Sequence, residues 1–325
     1  MTLLALVVSA SACSDAATDA APETTRGASD STAAATPSTT STTTSLPPLA
    51  SDGAPRAVVT PTGVVAAVKQ HAADGSFVIV SPCGKDVRVS TGEPIVAAHV
   101  VIDPGHGGGE TGAVGPGGLR ESDLNLAVAR LVQEDLESRG VRTVLTRTDD
   151  YRVTLASRAA IATALGADAF VSIHHNAGPD HQQDLPGTEV YYQSTGGESA
   201  KRLGGLVYEE TFAALSAYDI SWSSFRDAQV KVRLASDGSD YYGILRRTAG
   251  VPGVLAELAY VTNPPEEALL VTPEFQAVEA HAVAQGIVRF LTTDDPGSGF
   301  VGPSDRTAPA GPGGGAEGCV DPPLE

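Results

Sequence analysis

His106, Glu121 and His174 are residues whose types and setting suit metal chemistry. Val100-Val-Ile is a short apolar run, read as a buried strand, and Asp103-Pro-Gly ends it because Pro and Gly do not extend a central ladder. His106 follows among glycines, at the strand's carboxyl end, which is where open α/β sheets bind ligands. Glu121 comes 15 positions later, at the mouth of a helix, and His174 ends a second strand, Ala169-Phe-Val-Ser-Ile-His. Two imidazoles and one carboxylate are a zinc-hydrolase ligand set, with the fourth position kept for water. The ion stays net positive, so it polarises a carbonyl and acidifies its water. The set is dispersed along the chain. Spacing alone leaves open that Glu121 is only a helix-start carboxylate favoured by the macrodipole.

Hydrolysis of an amide also needs a group that takes a proton from water and passes it to the leaving amine. Glu257 is the candidate. It lies inside Val254-Leu-Ala-Glu-Leu-Ala-Tyr-Val, an otherwise apolar strand where an ionisable group is costly unless paired or functional. Alternation puts Leu255, Glu257 and Ala259 on one face. The other reading is an edge-strand Glu pointing at solvent.

The elements that must position these side chains alternate. After the strand at 99–102 comes a helix over 122–138 with Leu124, Val128, Leu131, Val132 and Leu136 on one face and Gly140 behind it. A strand from 141, a helix over 154–165 and strands at 169–174 and 188–193 follow. A helix over 198–215, a strand at 251–259 and a helix over 273–291 complete the series. Such alternation predicts a three-layer α/β/α fold with a central, mostly parallel or mixed sheet. Residues 57–96 hold about three short strands, read as a small β segment packed on the main domain.

The ends have a different composition. Thr2 to Ala10 is short and apolar, and Ala10-Ser-Ala12 precedes Cys13, the pattern of a signal peptide over 1–12 with a small-residue cleavage site. A Cys at that point resembles a bacterial lipoprotein, with Cys13 lipidated; the alternative is an ordinary secreted protein. Residues 13–56 are rich in Ser, Thr, Ala and Pro and read as a disordered tether. Residues 293–325 read as a flexible tail. With Cys13 set aside, Cys83 and Cys319 remain as a pair that an oxidising compartment lets bridge, or as two free thiols. A net charge of −18 argues against nucleic acid. No apolar run spans a membrane.

Together Val101-Ile-Asp-Pro-Gly-His106-Gly-Gly, Glu121 opening a helix, Val171-Ser-Ile-His174-His-Asn-Ala and Leu255-Ala-Glu257-Leu-Ala-Tyr-Val-Thr-Asn263 resemble the type 3 N-acetylmuramoyl-L-alanine amidases. The resemblance covers about residues 98–292, taken as the catalytic domain within 97–292. It implies one zinc ion on His106, Glu121 and His174, with Glu257 as acid/base. It also implies cleavage of the amide between N-acetylmuramic acid and L-alanine in peptidoglycan. His175 stands where the family usually has a small residue and is expected to face the other side of the strand. Asn176 and Arg246 are lower-ranked substrate contacts. His71, His99, His181 and His281 read as surface or core residues. Peptidoglycan is the expected partner of a monomer exported to the cell envelope, touching the membrane only through a lipid on Cys13. A non-catalytic wall-binding lipoprotein of this fold and a zinc peptidase acting on stem peptides stay open as alternatives.

Overall fold

Among the described residues, the apolar runs assemble into two main sheets, and Arg233–Leu234 pairs with Ser304–Asp305 as a third, two-stranded one. The structure, a computed structural model, describes residues 45–178, 187–220, 229–297, 304–305 and 314–325. The signal peptide, Cys13 and His181 therefore lie outside the described residues, as does the tether up to residue 44.

The first sheet is antiparallel. Its strands are β1 (Ala57–Val59), β2 (Val65–His71), β3 (Phe77–Val80), β4 (Asp86–Val89) and β5 (Glu93–Ile95), in the order β4-β3-β2-β1-β5. Two of these strands, β1 and β5, exceed the sequence expectation. Each is three residues long, too short to carry a readable alternation. Among the described residues β5 pairs with β1 alone, and Pro94 is tolerated on such an edge.

The second sheet contains β6 (Val100–Pro104), β7 (Thr143–Leu145), β8 (Ala169–Asn176), β9 (Glu189–Tyr192), β10 (Gln229–Lys231) and β12 (Gly253–Tyr260). A short β11 (Arg233–Leu234) lies outside it. The strand order is β10-β9-β12-β8-β6-β7. All neighbours are parallel except β9 and β12, so the sheet is mixed. Helices α1 (Glu121–Ser138), α2 (Leu155–Leu165), α3 (Gly197–Leu215), α4 (Gly243–Arg247), α5 (Pro264–Leu270) and α6 (Pro273–Thr292) complete the fold.

The pleat sorts the core. Val100, Ile102, Val171, Ile173, Val254 and Ala256 pack with α1, α3 and α6 on one face. Val101, Phe170, Tyr191 and Leu255 pack on the other with Ile161 of α2, Ile244 of α4 and Val65 of the small sheet. Strand side chains alternate between faces, so each run feeds both layers. The three-layer α/β/α expectation holds, with the small sheet covering α2. One detail is corrected. The register of β12 shifts between Glu257 and Tyr260, and Ala259 joins Leu258 in the α1/α3/α6 core instead of sharing the face of Glu257.

Two stretches read as loose are held along part of their length. Leu46 packs against the main core, and the His99 ring lies 3.1 Å from the Pro47 carbonyl. At the other end, Cys319 is joined to Cys83 by a disulfide and Leu324 packs on the small sheet. The free-tail reading is thus corrected for 314–325. Among the described residues, no helix is long and apolar enough to cross a membrane.

Candidate metal centre

Strand β6 ends in a turn that is tied down from below. The Arg158 guanidinium donates to Asp103 Oδ1 at 2.7 Å, to the Pro104 carbonyl at 2.6 Å and to the His106 carbonyl at 2.5 Å. Arg147 donates to the carbonyls of Pro104 at 3.0 Å and Gly105 at 2.9 Å. Both arginines are buried. Burial opposes ionisation of Asp103, but Arg158 and the hydroxyls of Thr146 and Ser172 outweigh it and hold the carboxyl below its usual value. With the turn fixed this way, His106 is the one described non-glycine residue at positive φ, 60°. Such a conformation costs energy and needs surroundings that impose it.

Arg158→Met leaves the Asp103 carboxylate buried without its cation. Losing one partner of a buried pair costs about 3–5 kcal/mol. Urea unfolding of the purified variant, compared with wild type, measures the loss.

Glu121 is the first residue of α1, where the helix dipole favours an anion. Its Oε1 lies 3.0 Å from His174 Nδ1 and 3.2 Å from His106 Nε2. Its Oε2 accepts from the Ala113 amide at 2.8 Å. Burial opposes its charge, but the two imidazoles hold its pKa well below the usual carboxylate value. Burial lowers the pKa of His174, which favours the neutral imidazole a metal requires. One ligand atom from each of His106, Glu121 and His174 lies within 4.8 Å of the others. This donor set suits a zinc ion. Two glycines make room for it. A Cβ at Gly105 would sit 2.3 Å from the His174 ring, and one at Gly112 would sit 2.4 Å from Glu121 Oε2.

Glu257 stands one strand away. β12 is a central strand, so the solvent-facing edge reading is overturned. The register pairs Glu257 with His174 on β8 and with Glu189 on β9. Residues paired across one rung project to the same side. Among the described residues, Glu257 Oε2 is buried without a hydrogen-bond partner. Burial, then the nearby carboxylates of Glu121 and Glu189, push its pKa well above the usual range.

Sequence reasoning passed over Glu189. It is buried, accepts from Lys231 Nζ at 3.1 Å and from Asn176 Nδ2 at 3.2 Å, and also accepts the Tyr191 hydroxyl. Its signal was the one that marked Glu257: a carboxylate inside an apolar strand, Thr188-Glu-Val-Tyr-Tyr. Asn176 thus lies beside the acid next to Glu257. Arg246, on α4, donates to the carbonyls of Asp240 and Tyr241 in the loop before that helix. His175 faces the opposite layer, where it is fully buried, 2.7 Å from Asn125 Oδ1 and 3.6 Å from Glu279.

Comparison with known proteins adds a second kind of observation. A family described as N-acetylmuramoyl-L-alanine amidase matches residues 100–289. The chain is 38% identical over 214 residues to the uncharacterised protein YqiI of Bacillus subtilis, covering 66% of this chain and 92% of that one. It is 30% identical over 221 residues to the N-acetylmuramoyl-L-alanine amidase AmiC of Neisseria meningitidis, covering 60% of this chain and 53% of that protein. It therefore spans about half the length of the Neisseria protein. Among solved structures, the amidase AmiC2 of Nostoc punctiforme superposes with a TM-score of 0.51 at 35% identity, over 59% of this chain and 96% of that one.

Proposed function

Because this chain belongs to the N-acetylmuramoyl-L-alanine amidase family, we propose that it is a zinc-dependent hydrolase of the amide between N-acetylmuramic acid and L-alanine in peptidoglycan. The observation that carries the reading is the His106–Glu121–His174 group with Glu257 on the adjoining strand at the level of His174. His106, Glu121 and His174 would hold the ion. A zinc ion there supplies a Lewis acid for the scissile carbonyl and lowers the pKa of water.

The remaining chemistry belongs to the chain. Glu257 takes a proton from the attacking water as the new C–O bond forms. It returns that proton to the nitrogen as the C–N bond breaks, which leaves a carboxyl group on muramic acid and a free amine on L-alanine. A carboxyl with a raised pKa suits both halves of that exchange, because transfer is most efficient when the pKa lies near the working pH. Glu189, held by Lys231 and Tyr191, is a fixed neighbouring charge that contributes to the raised pKa.

Export to the cell envelope is part of the same reading. It is supported by the apolar stretch before Ala10-Ser-Ala12-Cys13 and by a disulfide, which persists outside the reducing cytosol. A lipid on Cys13 and a monomeric state complete it. The test is digestion of purified peptidoglycan with and without a chelator, followed by mass spectrometry. Peptides that begin with free L-alanine, formed only when metal is present, are expected. Cuts within the stem, with muramic acid still amidated, would indicate a peptidase instead, and undigested wall would indicate a binding protein.

A further inference from the structure

The family match ends at residue 289, yet the described chain beyond it packs back on the domain, with Gly314 lining the cavity that His106 and His174 also line. The Gly314 carbonyl accepts from the Leu155 amide at 3.1 Å. Arg152 donates to the carbonyls of Gly315 and Glu317, both at 2.8 Å. Cys319 is disulfide-linked to Cys83, and the Cys83 amide donates to Asp321 Oδ1 at 2.8 Å. The Thr62 hydroxyl donates to the Pro323 carbonyl at 2.6 Å. Residues 314–324 are therefore fastened at several points across α2 and the small sheet.

This segment walls two cavities. The first, about 210 Å³, is lined by His106, His174, Glu110, Leu155 and Gly314. The second, about 570 Å³, lies between the Gly108-Gly109 turn with Tyr151 on one side and Val320 with Pro322 on the other. Glu110 lines both, so the second cavity adjoins the first. Val320, 81% exposed, lines the second cavity together with Pro322 and Tyr151.

Building on the amidase reading, we propose that the segment 314–322 is a substrate-binding wall, and that the cavity it forms with Tyr151 is a subsite for the glycan strand flanking the scissile amide. The chemistry of the lining selects the glycan over the peptide. Glu110, Asp150 and Asp321 line the cavity with a single guanidinium, Arg152, which is already paired to Glu110 at 2.8 Å. Asp150 and Asp321 are neighboured from outside by Arg120 at 3.5 Å and Lys85 at 3.4 Å. Paired this way the lining is near neutral: its cations are already engaged by carboxylates and are not free for the terminal carboxylate of a stem peptide, while carboxylate lone pairs still accept from sugar hydroxyls. Val320, Pro322 and Tyr151 offer apolar surface to a sugar face.

The test compares wild type with Val320→Ser, a substitution at an exposed site, and with Cys83→Ser/Cys319→Ser. Intact peptidoglycan is one substrate, and soluble muramoyl-peptides that carry no flanking sugar are the other. Both variants are expected to raise KM on intact peptidoglycan about tenfold, with kcat kept, and to leave KM on the small substrate near wild type. Co-sedimentation with glycan strands stripped of peptide reads the same subsite without turnover, and weaker binding by Val320→Ser is expected. Wild-type KM and wild-type binding for Val320→Ser overturn the proposal, as does an equal rise on both substrates. Failure of the amidase reading looks different: wild type then releases no L-alanine-terminated peptide, while the co-sedimentation result still stands.

Discussion

Glu257→Gln abolishes amide hydrolysis while leaving the protein folded and metal-loaded. The substitution keeps the side chain's shape in a fully buried strand, so thermal stability should stay close to wild type. What disappears is a carboxylate able to accept and return a proton, a role that contributes about 10²- to 10⁴-fold in rate. The pH profile carries a second signature. Glu257 must be ionised to accept the proton of water, and burial with the Glu121 and Glu189 carboxylates raises its pKa. Activity is therefore lost as pH falls through that raised pKa, on a limb lying above the ordinary carboxylate value of about 4.3. In the variant, residual activity should lack this limb. Near-wild-type turnover by Glu257→Gln, or an unchanged acid limb, refutes the assignment.

His106→Ala gives the opposite combination: the metal is lost, and activity with it. Three protein ligands are the usual complement of a catalytic zinc site, and the described residues bring one such group together. Removing one imidazole leaves two donors, and elemental analysis after desalting should find substoichiometric zinc. Wild type treated with a chelator should match it in activity, and zinc should restore wild type but not the variant. Metal content equal to wild type in His106→Ala would show that the ion is held elsewhere. The strand frame does not depend on that ring, since His106 follows β6 and its carbonyl, not its imidazole, is the acceptor for Arg158.

Much of this architecture was legible along the chain. Apolar runs marked β6, β8 and β12, an apolar face at helical spacing marked α1 and α3, and α2 and α6 were bounded by their end residues, each to within about two residues. Glu257 stood out because a carboxylate in Val254–Val261 breaks an apolar pattern. Short elements escaped: β1, β5 and β10 have three residues each, too few to show a period, whereas the equally short β7 is legible within the longer stretch from Val141. The arginines beneath the turn escaped too. Nothing local marks Arg147 and Arg158; the fold buries them against Asp103 and the carbonyls of 104–106. The tail was misjudged by composition, since Gly and Pro signal looseness locally whereas its order comes from a disulfide 236 residues away in sequence.

The sequence by itself determined the chemical types available and the local elements that carry them, because side-chain period and turn residues act over a few neighbours. Tertiary structure alone decided that β8 and β12 would lie side by side with His174 and Glu257 level, that Glu189 would complete the row, and that Gly314 would line the cavity at His106 and His174. Those outcomes depend on strand register and chain closure over tens to hundreds of residues, and no local pattern encodes the partner.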